Sequence, residues 1–565
     1  ISSTQQAGIT GVILDEQGES IIGANVITED GKTGTITDID GNFQLNVPYG
    51  TNLVITYIGY EPQTVVAVPE RMNIVLQEST VMLDAVQVVA YGAQKKVTVT
   101  GAISGIQGEE LLKTPTGSVS NVLSGLVTGL TSIQYSGEPG SDAAEIFVRG
   151  KGTWENASPL VQVDGVERNL NDIDPNEIES ITVLKDASAT AVFGVRGANG
   201  VILITTKRGQ QGRAKINFST SASVVTPTKL VELADSYQYA TFHNQMRRND
   251  GSEPIFSDDI IQKFKDGSDP IRFPNTDWID YVMKDATLQS QHNINISGGT
   301  DAVRYFVSAG AYTQGGLFNQ FNLPYDLTYQ YNRYNYRSNL DIDVTKSTTL
   351  SLNIGGNVDN SNKPYTGQGS SGMMRSIYWS TPFSSPGLID DRLVYAATDY
   401  ADHTLPFVGG NGISDYYGKG FMSTSKNVLN VDLVLDQDLA FITKGLTFRL
   451  KGAYNSTFYS NKQASAGIAT YTPVLQDNGS MNYKKFGENS QLSYAESRGK
   501  ARDWYMETAL NYANSIGDHN FSALALYNQS KSYYPSQFSD IPTGYVGLVG
   551  RVTYDWRNRY MAEFN

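Results

Sequence analysis

Aromatic rings that stand beside carboxylates or amides are the residues in this sequence best suited to binding chemistry. Such rings bury a large area at a small entropic cost, and Tyr and Trp also keep a polar handle. The neighbouring carboxylates and amides can bond hydroxyl groups, so these sets suit a sugar and we predict that they contact substrate. The residues concerned are Trp154, Glu155, Asn156, Tyr378, Trp379, Phe383 and Asp390. The alternative is that the rings pack the loops together or belong to an aromatic belt at a membrane interface.

Residues that could support an enzyme mechanism occur without the spacing that such mechanisms need. The four histidines lie outside any HxxE, HxxxH or HExxH pattern, so a zinc hydrolase would lack ligands. The sequence contains no Walker loop and no GxSxG motif. The carboxylate pairs Asp258-Asp259 and Asp390-Asp391 lie in predicted surface loops, where solvated turn charges are expected. We therefore predict that the protein is not an enzyme and needs no cofactor or metal.

Composition points to a β-rich protein that does not bind nucleic acid. Charged residues make up 18% of the chain, below the ~25% that is usual in soluble domains. The 54 glycines and 34 tyrosines suit many turns and an aromatic surface. The net charge of −14 argues against nucleic-acid binding, and the lack of cysteine removes disulfides and thiol chemistry. Composition alone favours a large secreted array of β-sandwiches.

No membrane-spanning helix is predicted among the elements that could position the candidate residues. The sequence has no apolar run of about 18 residues, the length such a helix needs. A closed β-barrel is the other way for a chain to cross a bilayer, and it leaves no helical hydropathy signal. The chain begins ISSTQQAGIT without a charged or apolar leader, so we expect a protein that is either not exported or already processed.

From Arg213 onward, apolar and polar residues alternate in long Ser-, Thr- and Asn-rich stretches. In the clearest one, Leu446 and Leu450 share one face of a strand. Arg449 and Lys451 share the other face. A strand with lipid on one side and water on the other must alternate in this way, although a soluble sandwich also does. The predicted strands are 214–225, 288–299, 302–315, 331–344, 348–360, 427–438, 445–459, 502–514, 519–532, 543–556 and a start at 559.

The gaps between these strands alternate in length and favour the barrel. The short gaps are near 298–301, 344–347, 440–444, 516–518 and 557–558, and the long ones are near 226–287, 316–330, 361–426, 460–501 and 533–542. Outer-membrane barrels have short periplasmic turns and longer external loops. A soluble sandwich has no reason to place every long loop at one edge. We therefore predict a mainly β protein with an antiparallel transmembrane β-barrel whose first strand leaves the periplasm.

The number of strands sets an expectation about barrel size. Only about ten or eleven strands are predicted in residues 211–565, and the chain stops inside a strand. Outer-membrane barrels whose lumen is filled by another domain of the chain, called a plug, have about 22 strands. We therefore expect this region to be the N-terminal half of a 22-stranded barrel, with the other strands missing or carried by another piece.

Three motifs in fixed order mark the region before the barrel. They are Val148-Arg149-Gly150, then Pro159-Leu160 leading to Val163-Asp164-Gly165-Val166, then the block from Ile178 to Gly209 with VLKDASAT, GVRGANGV and ITTKRG. This arrangement resembles the plug domain of SusC-like TonB-dependent outer-membrane transporters. The resemblance implies that residues 93–210 form a mixed α/β plug.

Local patterns predict the elements of this plug. Asp174-Pro175 supplies a helix start signal, and Asp164-Gly165 between two apolar runs predicts a hairpin. The predicted helices are 109–112, 120–125, 178–184 and 187–193, and the predicted strands are 145–149, 160–163 and 200–207.

Residues 1–78 form a predicted β-sandwich. Short β-prone runs alternate with Gly, Asp and Pro turns about every ten residues. The segments GVILDEQGESIIGANV, GTITDIDGNFQLNVP and TYIGYEPQ resemble the carboxypeptidase-regulatory-like domain, which implies a seven-stranded Ig-like fold. The run Asp38-Ile39-Asp40-Gly41 lacks the Glu that a calcium loop places after its glycine, so we predict a hairpin turn with Asx side-chain bonds.

A linker at 79–92 joins these two domains and contains a short apolar strand. Residues 78–92 read ESTVMLDAVQVVAYG, and they resemble the segment that holds the Ton box in the SusC-like family, an exposed periplasmic strand captured by TonB. Capture of this kind is β-augmentation, in which an extended peptide adds to a sheet edge through main-chain bonds. The alternative is a linker strand docked on its own neighbour. The predicted TonB contacts are Leu83, Asp84, Ala85, Val86, Gln87, Val88 and Val89.

The resemblance implies active import of a large nutrient across the Gram-negative outer membrane. It implies two partners: a SusD-like surface lipoprotein, and TonB with its inner-membrane energising complex. It implies an oligosaccharide as cargo, contact with outer-membrane lipid and a periplasmic N-terminus, and a dimer of transporter–lipoprotein pairs remains open. The alternatives are import of oligopeptides by the same class of transporter, and a β-sandwich surface adhesin.

Overall fold

The structure is a computed structural model. It describes residues 7–15, 18–29, 33–57, 60, 63–77, 86–89, 92–95, 102–366, 371–396, 405–406, 410–415, 417–533, 541–557 and 559–565. The chain divides into two compact units, residues 1–100 with 557–561, and residues 101–556 with 562–565.

The first unit contains a small two-sheet β domain. Its strands are β1 (Ala7–Leu14), β2 (Asn25–Thr28), β3 (Gly34–Ile36), β4 (Asn42–Val47), β5 (Asn52–Thr56), β6 (Gln63–Val66) and β7 (Met72–Val75). They form one sheet of order β4-β1-β7 and one of order β3-β2-β5-β6. Both sheets contribute to a single apolar core that includes Ile13, Val26 and Leu53. The predicted N-terminal β domain is therefore confirmed.

The turn before β4 has the geometry predicted from Asp38. The Asp38 carboxylate accepts hydrogen bonds from the backbone N–H of Asp40 at 3.0 Å and of Asn42 at 2.8 Å. Gly41 takes a φ of 75°, a left-handed conformation that a glycine adopts without steric cost. The predicted side-chain bonds are therefore present, but the turn is not a β-hairpin, because β3 and β4 lie in different sheets.

A short hairpin follows the β domain. Its strands are β8 (Val86–Val89) and β9 (Gly92–Lys95), and they pair antiparallel with Val86 opposite Lys95 and Val89 opposite Gly92.

The second unit begins with the plug, residues 102–210. Its strands are β10 (Ile103–Gln107), β11 (Leu130–Ile133), β12 (Glu145–Val148), β13 (Leu160–Val163), β14 (Val166–Glu167), β15 (Ile178–Leu184) and β16 (Val201–Thr206). Its α-helices are α1 (Gly108–Leu111), α2 (Ser120–Leu126) and α3 (Ala187–Thr190), with 3₁₀ turns at Leu170–Asp172, Pro175–Glu177 and Ala191–Gly197. The main sheet has the order β10-β15-β16-β13-β14. Helices α1 and α2 lie at the predicted positions.

The prediction of a helix at 178–184 is wrong, because this segment is strand β15. Asp174 does cap a helical turn, with its carboxylate accepting from the N–H of Asn176 at 2.8 Å, but that 3₁₀ turn ends at Glu177. The residues that follow are largely β-branched, and β15 lies between β10 and β16 with most of its side chains buried. A strand buried on both faces shows no alternation, so its apolar run could not be distinguished from a helix by period.

The predicted hairpin at Asp164-Gly165 is confirmed. Val163 pairs with Val166 across the turn, and Asp164 and Gly165 have φ values of 51° and 82°. Two positive φ values define the type I′ turn that matches the twist of a β-hairpin.

The rest of the second unit is dominated by an eleven-stranded antiparallel sheet, hereafter the wall. Its strands are β17 (Gly212–Val225), β18 (Thr287–Gly299), β19 (Val303–Gly315), β20 (Gln330–Thr345), β21 (Thr348–Pro364), β24 (Gly420–Asp438), β25 (Leu446–Ser465), β28 (Ser493–Ile516), β29 (His519–Tyr533), β30 (Thr543–Trp556) and β31 (Tyr560–Phe564). Each strand pairs with the next one in this series. The mainly β fold with a large antiparallel sheet is thus confirmed.

Four wall strands extend further into the long connections than predicted. β21 ends at Pro364, β24 begins at Gly420, β25 ends at Ser465 and β28 begins at Ser493. These extensions are rich in Ser, Lys and Asn, so they carry little of the apolar–polar alternation from which a strand could be read.

The long connections contain the remaining elements. They are α4 (Ser236–Asn249), α5 (Asp258–Asp266), α6 (Trp278–Val282) and α7 (Ser371–Trp379), with β22 (Gly387–Ile389), β23 (Arg392–Val394), β26 (Thr470–Leu475) and β27 (Met481–Phe486). The four strands form one sheet of order β22-β23-β26-β27, which joins two different connections. None of the described helices is long and apolar enough to cross a membrane.

The two faces of the wall have the opposite polarity to those of a water-soluble sheet. In β24, Leu433 is 51% exposed while the adjacent Asp432 is 2% exposed. In β25, Leu450 is exposed and Lys451 is buried. Apolar side chains thus cover the open face and polar side chains cover the face that meets the plug, as expected for a wall with lipid outside.

A charge placed on the open face should be costly if that face meets lipid. We expect Leu433→Arg to lower the free energy of unfolding of the membrane-inserted protein by about 2–4 kcal/mol. The matched control is Phe441→Arg, because Phe441 is exposed in the short connection between β24 and β25. Denaturant titration in lipid vesicles measures both, and equal costs would contradict a lipid-facing surface.

Candidate functional site: the interface between plug and wall

Charged residues of the plug pair with opposite charges on the polar face of the wall. The plug supplies mostly acids and the wall mostly bases, so the two surfaces attract each other at several separate points. The pairs are Glu138–Lys363, Arg168–Asp432, Asp172–Lys426, Glu177–Arg337 and Arg208–Asp341.

The pair between Arg168 and Asp432 is bidentate and almost fully buried. The hairpin β13–β14 places Arg168 one residue beyond β14, and both of its terminal nitrogens donate to Asp432, one of them at 3.0 Å. Its Nε donates to the Asn455 side chain at 3.0 Å. The side chains of Arg168 and Asp432 are only 6% and 2% exposed. Fork-to-fork geometry of this kind fixes orientation as well as distance.

The second buried pair joins Glu177 to Arg337. The Arg337 Nε donates to Glu177 Oε2 at 2.7 Å, and both side chains are at most 5% exposed. Burial raises the pKa of the Glu177 carboxyl, and the attraction of Arg337 offsets only part of this effect. Glu177 Oε1 is buried without a hydrogen-bond partner among the described residues. The pair therefore specifies where the plug sits more than it stabilises the fold.

Asp164 connects the hairpin turn to both β16 and the wall. Its carboxylate accepts from the Thr206 N–H at 3.0 Å and from the Thr206 hydroxyl at 2.7 Å. Burial alone would raise the pKa of this carboxyl, but Arg208, Arg337 and the Thr206 bonds outweigh it, so the pKa lies below its ordinary value of 3.8. The Asp164 carbonyl accepts from Lys451 Nζ of the wall at 2.9 Å.

Neutral amides complete the interface and leave room for water. Asn339 donates to the Thr206 hydroxyl at 2.9 Å and to the Lys207 carbonyl at 2.8 Å. The side-chain oxygens of Asn293 and Asn357 are buried without a protein partner in the described part of the chain. Buried polar atoms of this kind normally bond ordered water. The plug is thus held mainly by discrete polar contacts, together with one small apolar cluster of Val166, Ala453 and Tyr505.

The structure separates the predicted substrate residues into two groups. Trp154, Glu155 and Asn156 lie exposed on the plug, in the connection from β12 to β13. Tyr378 and Trp379 end helix α7 in a long wall connection, where both are exposed. Among the described residues, no hydrogen bond or ring contact joins one group to the other.

Two further predicted substrate residues have different surroundings. Asp390 is exposed at the turn between β22 and β23, with a φ of 48°. Phe383 is a correction to the prediction, because its ring is 0% exposed and packs among Tyr239, Phe256 and Phe264. Since no face of the Phe383 ring is open to a ligand, it supports the packing of the connections.

The predicted TonB contacts lie only partly in the described chain. Leu83, Asp84 and Ala85 are outside the described residues. Val86, Gln87, Val88 and Val89 form β8, which pairs through its backbone with β9.

The paired charges of the interface were missed in the sequence because their partners lie far apart along the chain. Arg168 and Asp432, for example, are 264 positions apart. A usable signal did exist, since Asp432 and Lys451 are charged residues in the middle of predicted strands, on the face opposite the apolar one.

Comparison with known proteins gives this arrangement a family. Residues 95–201 match the TonB-dependent Receptor Plug Domain, and residues 9–88 match the CarboxypepD_reg-like domain. TonB-dependent receptor SusC of Bacteroides thetaiotaomicron is 36% identical over 331 residues, which cover 56% of this chain and 31% of SusC. TonB-dependent receptor P3 of Formosa agariphila is 27% identical over an alignment of 605 residues, which covers 99% of this chain and 54% of P3.

A solved structure, the RagAB peptide importer in its open-open state, has a similar fold. It superposes with a TM-score of 0.61 at 21% identity, covering 84% of this chain and 55% of that one. The chain therefore spans about a third to a half of the length of these relatives.

A plug domain held against an antiparallel wall with an apolar outer face defines the class of TonB-dependent receptors, whose family members are outer-membrane proteins. Within that class, the match to the CarboxypepD_reg-like domain and the similarity to SusC support a SusC-like transporter.

Removing one charge of the buried Arg168–Asp432 pair should loosen the plug. We expect Asp432→Asn to cost about 3–5 kcal/mol, because it leaves the Arg168 guanidinium buried without a counter-charge. Hydrogen exchange of the β13 and β14 amides measures this change. The control is Glu496→Gln, which removes an exposed ion pair with Arg498 on β28 and should leave the exchange rates unchanged. Equal exchange in the two variants would contradict the assigned role of the pair.

The lowered pKa of Asp164 predicts an acid-dependent step. A carboxyl whose folded-state pKa lies below 3.8 stabilises the fold above about pH 3.8 and loses this contribution as the pH falls through the folded value. Exchange of the β13–β14 hairpin amides, expressed relative to the intrinsic rate of an unstructured peptide at the same pH, should therefore rise below about pH 3.8. In Asp164→Asn, which tolerates the positive φ, this rise should vanish. A rise of the same size in the variant would assign the step to another group.

Proposed function

We propose that this protein acts in TonB-dependent import of oligosaccharides across the outer membrane, together with a SusD-like surface lipoprotein. The observation that carries the proposal is the plug, which is held to the polar face of the wall by buried ion pairs. A removable plug is useful only where passage along that face must be closed and opened. A surface adhesin would need neither the plug nor an apolar outer face.

The energy for opening would enter through residues 83–89. TonB would capture this strand by β-augmentation, and pulling on it would loosen the plug that follows in the chain. β8 already pairs with β9 along one edge. TonB would therefore add to the other edge of β8 or displace β9.

The proposed cargo is an oligosaccharide. The polar face of the wall is rich in neutral amides such as Asn293, Asn335 and Asn357, which suit hydroxylated cargo better than charged cargo. Similarity to SusC also supports this choice. An oligopeptide is the second candidate, because the RagAB neighbours are described as a peptide importer. Their 21% identity speaks for the fold alone.

Deletion and substitution within residues 83–89 test whether TonB captures the main chain of β8. Deleting residues 83–89 should abolish uptake while substrate binding at the cell surface persists. Gln87→Pro should do the same, because proline removes a main-chain donor from the strand. Gln87→Ala is the matched control and should retain uptake, since β-augmentation depends on the main chain. Normal uptake by the deletion variant, measured with radiolabelled cargo, would refute the proposed energy coupling.

A further inference from the structure

A cavity of about 360 Å³ lies among the long wall connections, and none of the residues that line it belongs to the plug. It is bordered by the segment that leads into α4, by the segment that leads into α6 and by the end of α7. Three hydrogen bonds fix these connections to each other. Trp278 Nε1 donates to the Thr381 carbonyl at 3.0 Å, and Thr276 bonds the carbonyls of Pro382 and Ser385 at 2.8 and 2.7 Å. The cavity is therefore preformed rather than a gap between independent loops.

Two aromatic residues have different roles at the cavity: Trp278 supports its wall, and Tyr378 gives it a ring that a ligand could contact. The Trp278 indole is only 1% exposed and is locked by its hydrogen bond, so it forms a fixed part of the lining. The Tyr378 ring is 39% exposed, and its hydroxyl has no hydrogen-bond partner among the described residues. Tyr378 therefore offers a ligand both a ring face and a hydrogen bond.

Two aspartates line the same cavity with one carboxylate oxygen each to spare. Asp235 Oδ1 accepts from the Gln238 N–H at 2.7 Å and so caps α4. Asp277 Oδ1 accepts from the N–H groups of Ile279 and Asp280, at 2.9 and 3.2 Å, and so caps α6. Neither Oδ2 has a hydrogen-bond partner in the part of the chain that the structure describes. The caps hold each carboxylate in a fixed orientation.

Asn275 is arranged in the same manner. Its Oδ1 accepts from the Ser236 N–H at 2.8 Å, whereas its Nδ2 has no partner among the described residues. The cavity thus combines fixed acceptors, a fixed donor and aromatic surface.

The chemistry of the lining selects a class of ligand. The residues that line the cavity include no Lys, Arg or His, so an anion has no counter-charge there. The two carboxylates already face helix N-terminal N–H groups, which offset part of their negative charge and leave them as hydrogen-bond acceptors rather than traps for cations. A neutral sugar matches this lining, because its hydroxyl groups can bond the polar side chains and its ring has an apolar face. The volume is at the small end of the ~300–1,000 Å³ range of ligand pockets, which suits a short segment of a chain.

We propose that this cavity is an external binding subsite for a neutral sugar segment of the cargo. Tyr378 contacts the sugar face, and Asp235, Asp277 and Asn275 bond its hydroxyls, while the buried Trp278 holds the connections in place. This inference rests on the proposed import of oligosaccharides, and it identifies the cavity in which Tyr378 contacts the cargo.

The test is calorimetric titration of the purified full-length protein with four neutral tetrasaccharides: maltotetraose, cellotetraose, mannotetraose and xylotetraose. For a sugar that binds, Tyr378→Ala should weaken affinity at least ten-fold. The double variant Asp235→Asn/Asp277→Asn should weaken affinity as much. Asn still caps a helix through its side-chain oxygen, but its amide group then donates where the second carboxylate oxygen accepted.

Phe242→Ala and Asp258→Asn are the controls. Both residues are exposed on α4 and α5, outside the cavity, and both variants should bind as the unmodified protein does. Circular dichroism and melting temperature verify that every variant is folded.

The outcomes separate the subsite from the function. If a tetrasaccharide binds and the cavity variants keep its affinity, the subsite is refuted while oligosaccharide import stands. If no sugar binds but tetrapeptides do, the proposed cargo is refuted and the subsite with it. If the amine-bearing chitosan tetramer binds and the neutral sugars do not, the cavity is a cation site and the proposal is wrong.

Discussion

The buried ion pair between Arg168 and Asp432 is the interaction on which the arrangement of plug and wall depends. Neither charge can be left alone at this depth without a cost of several kcal/mol, so each surface requires the other. The same holds for Glu177 and Arg337, whose pairing leaves Glu177 Oε1 without a partner among the described residues. Pairs of this kind contribute little net stability, but a plug seated in another position would leave their charges buried and unpaired. A plug that must be seated uniquely and still be removable is better served by such contacts than by an apolar core.

The rest of the second unit positions these charged side chains. Alternation along the wall strands places Asp432 and Lys451 toward the plug and Leu433 and Leu450 away from it. The type I′ turn at Asp164-Gly165 directs the β13–β14 hairpin so that Arg168 reaches the wall. The long connections form separate apolar clusters around Trp278 and Phe256, which keep them compact near the proposed sugar subsite.

Local sequence rules predicted the elements whose residues face two different environments. The wall strands have one apolar and one polar side, and the Asp38 and Asp164 turns rely on side-chain and backbone preferences within a few residues. β15 could not be predicted because it is buried on both faces, so tertiary contacts decide its conformation.

Less of the candidate site could be predicted from the sequence. Trp154 and Tyr378 were chosen by residue type, which does not distinguish an exposed ring from a packed one such as Phe383. The ion pairs between plug and wall join residues far apart in the sequence, and no local pattern specifies which base meets which acid.

Conductance of the full-length protein in planar lipid bilayers tests most directly whether charge pairing keeps the plug in place. The unmodified protein should be closed to ions. Asp432→Arg, which sets two guanidinium groups against each other, should open a conducting path, and adding Arg168→Asp should restore the attraction and close it. A single reversal that stays closed, or a double reversal that conducts as much as the single one, would contradict the account.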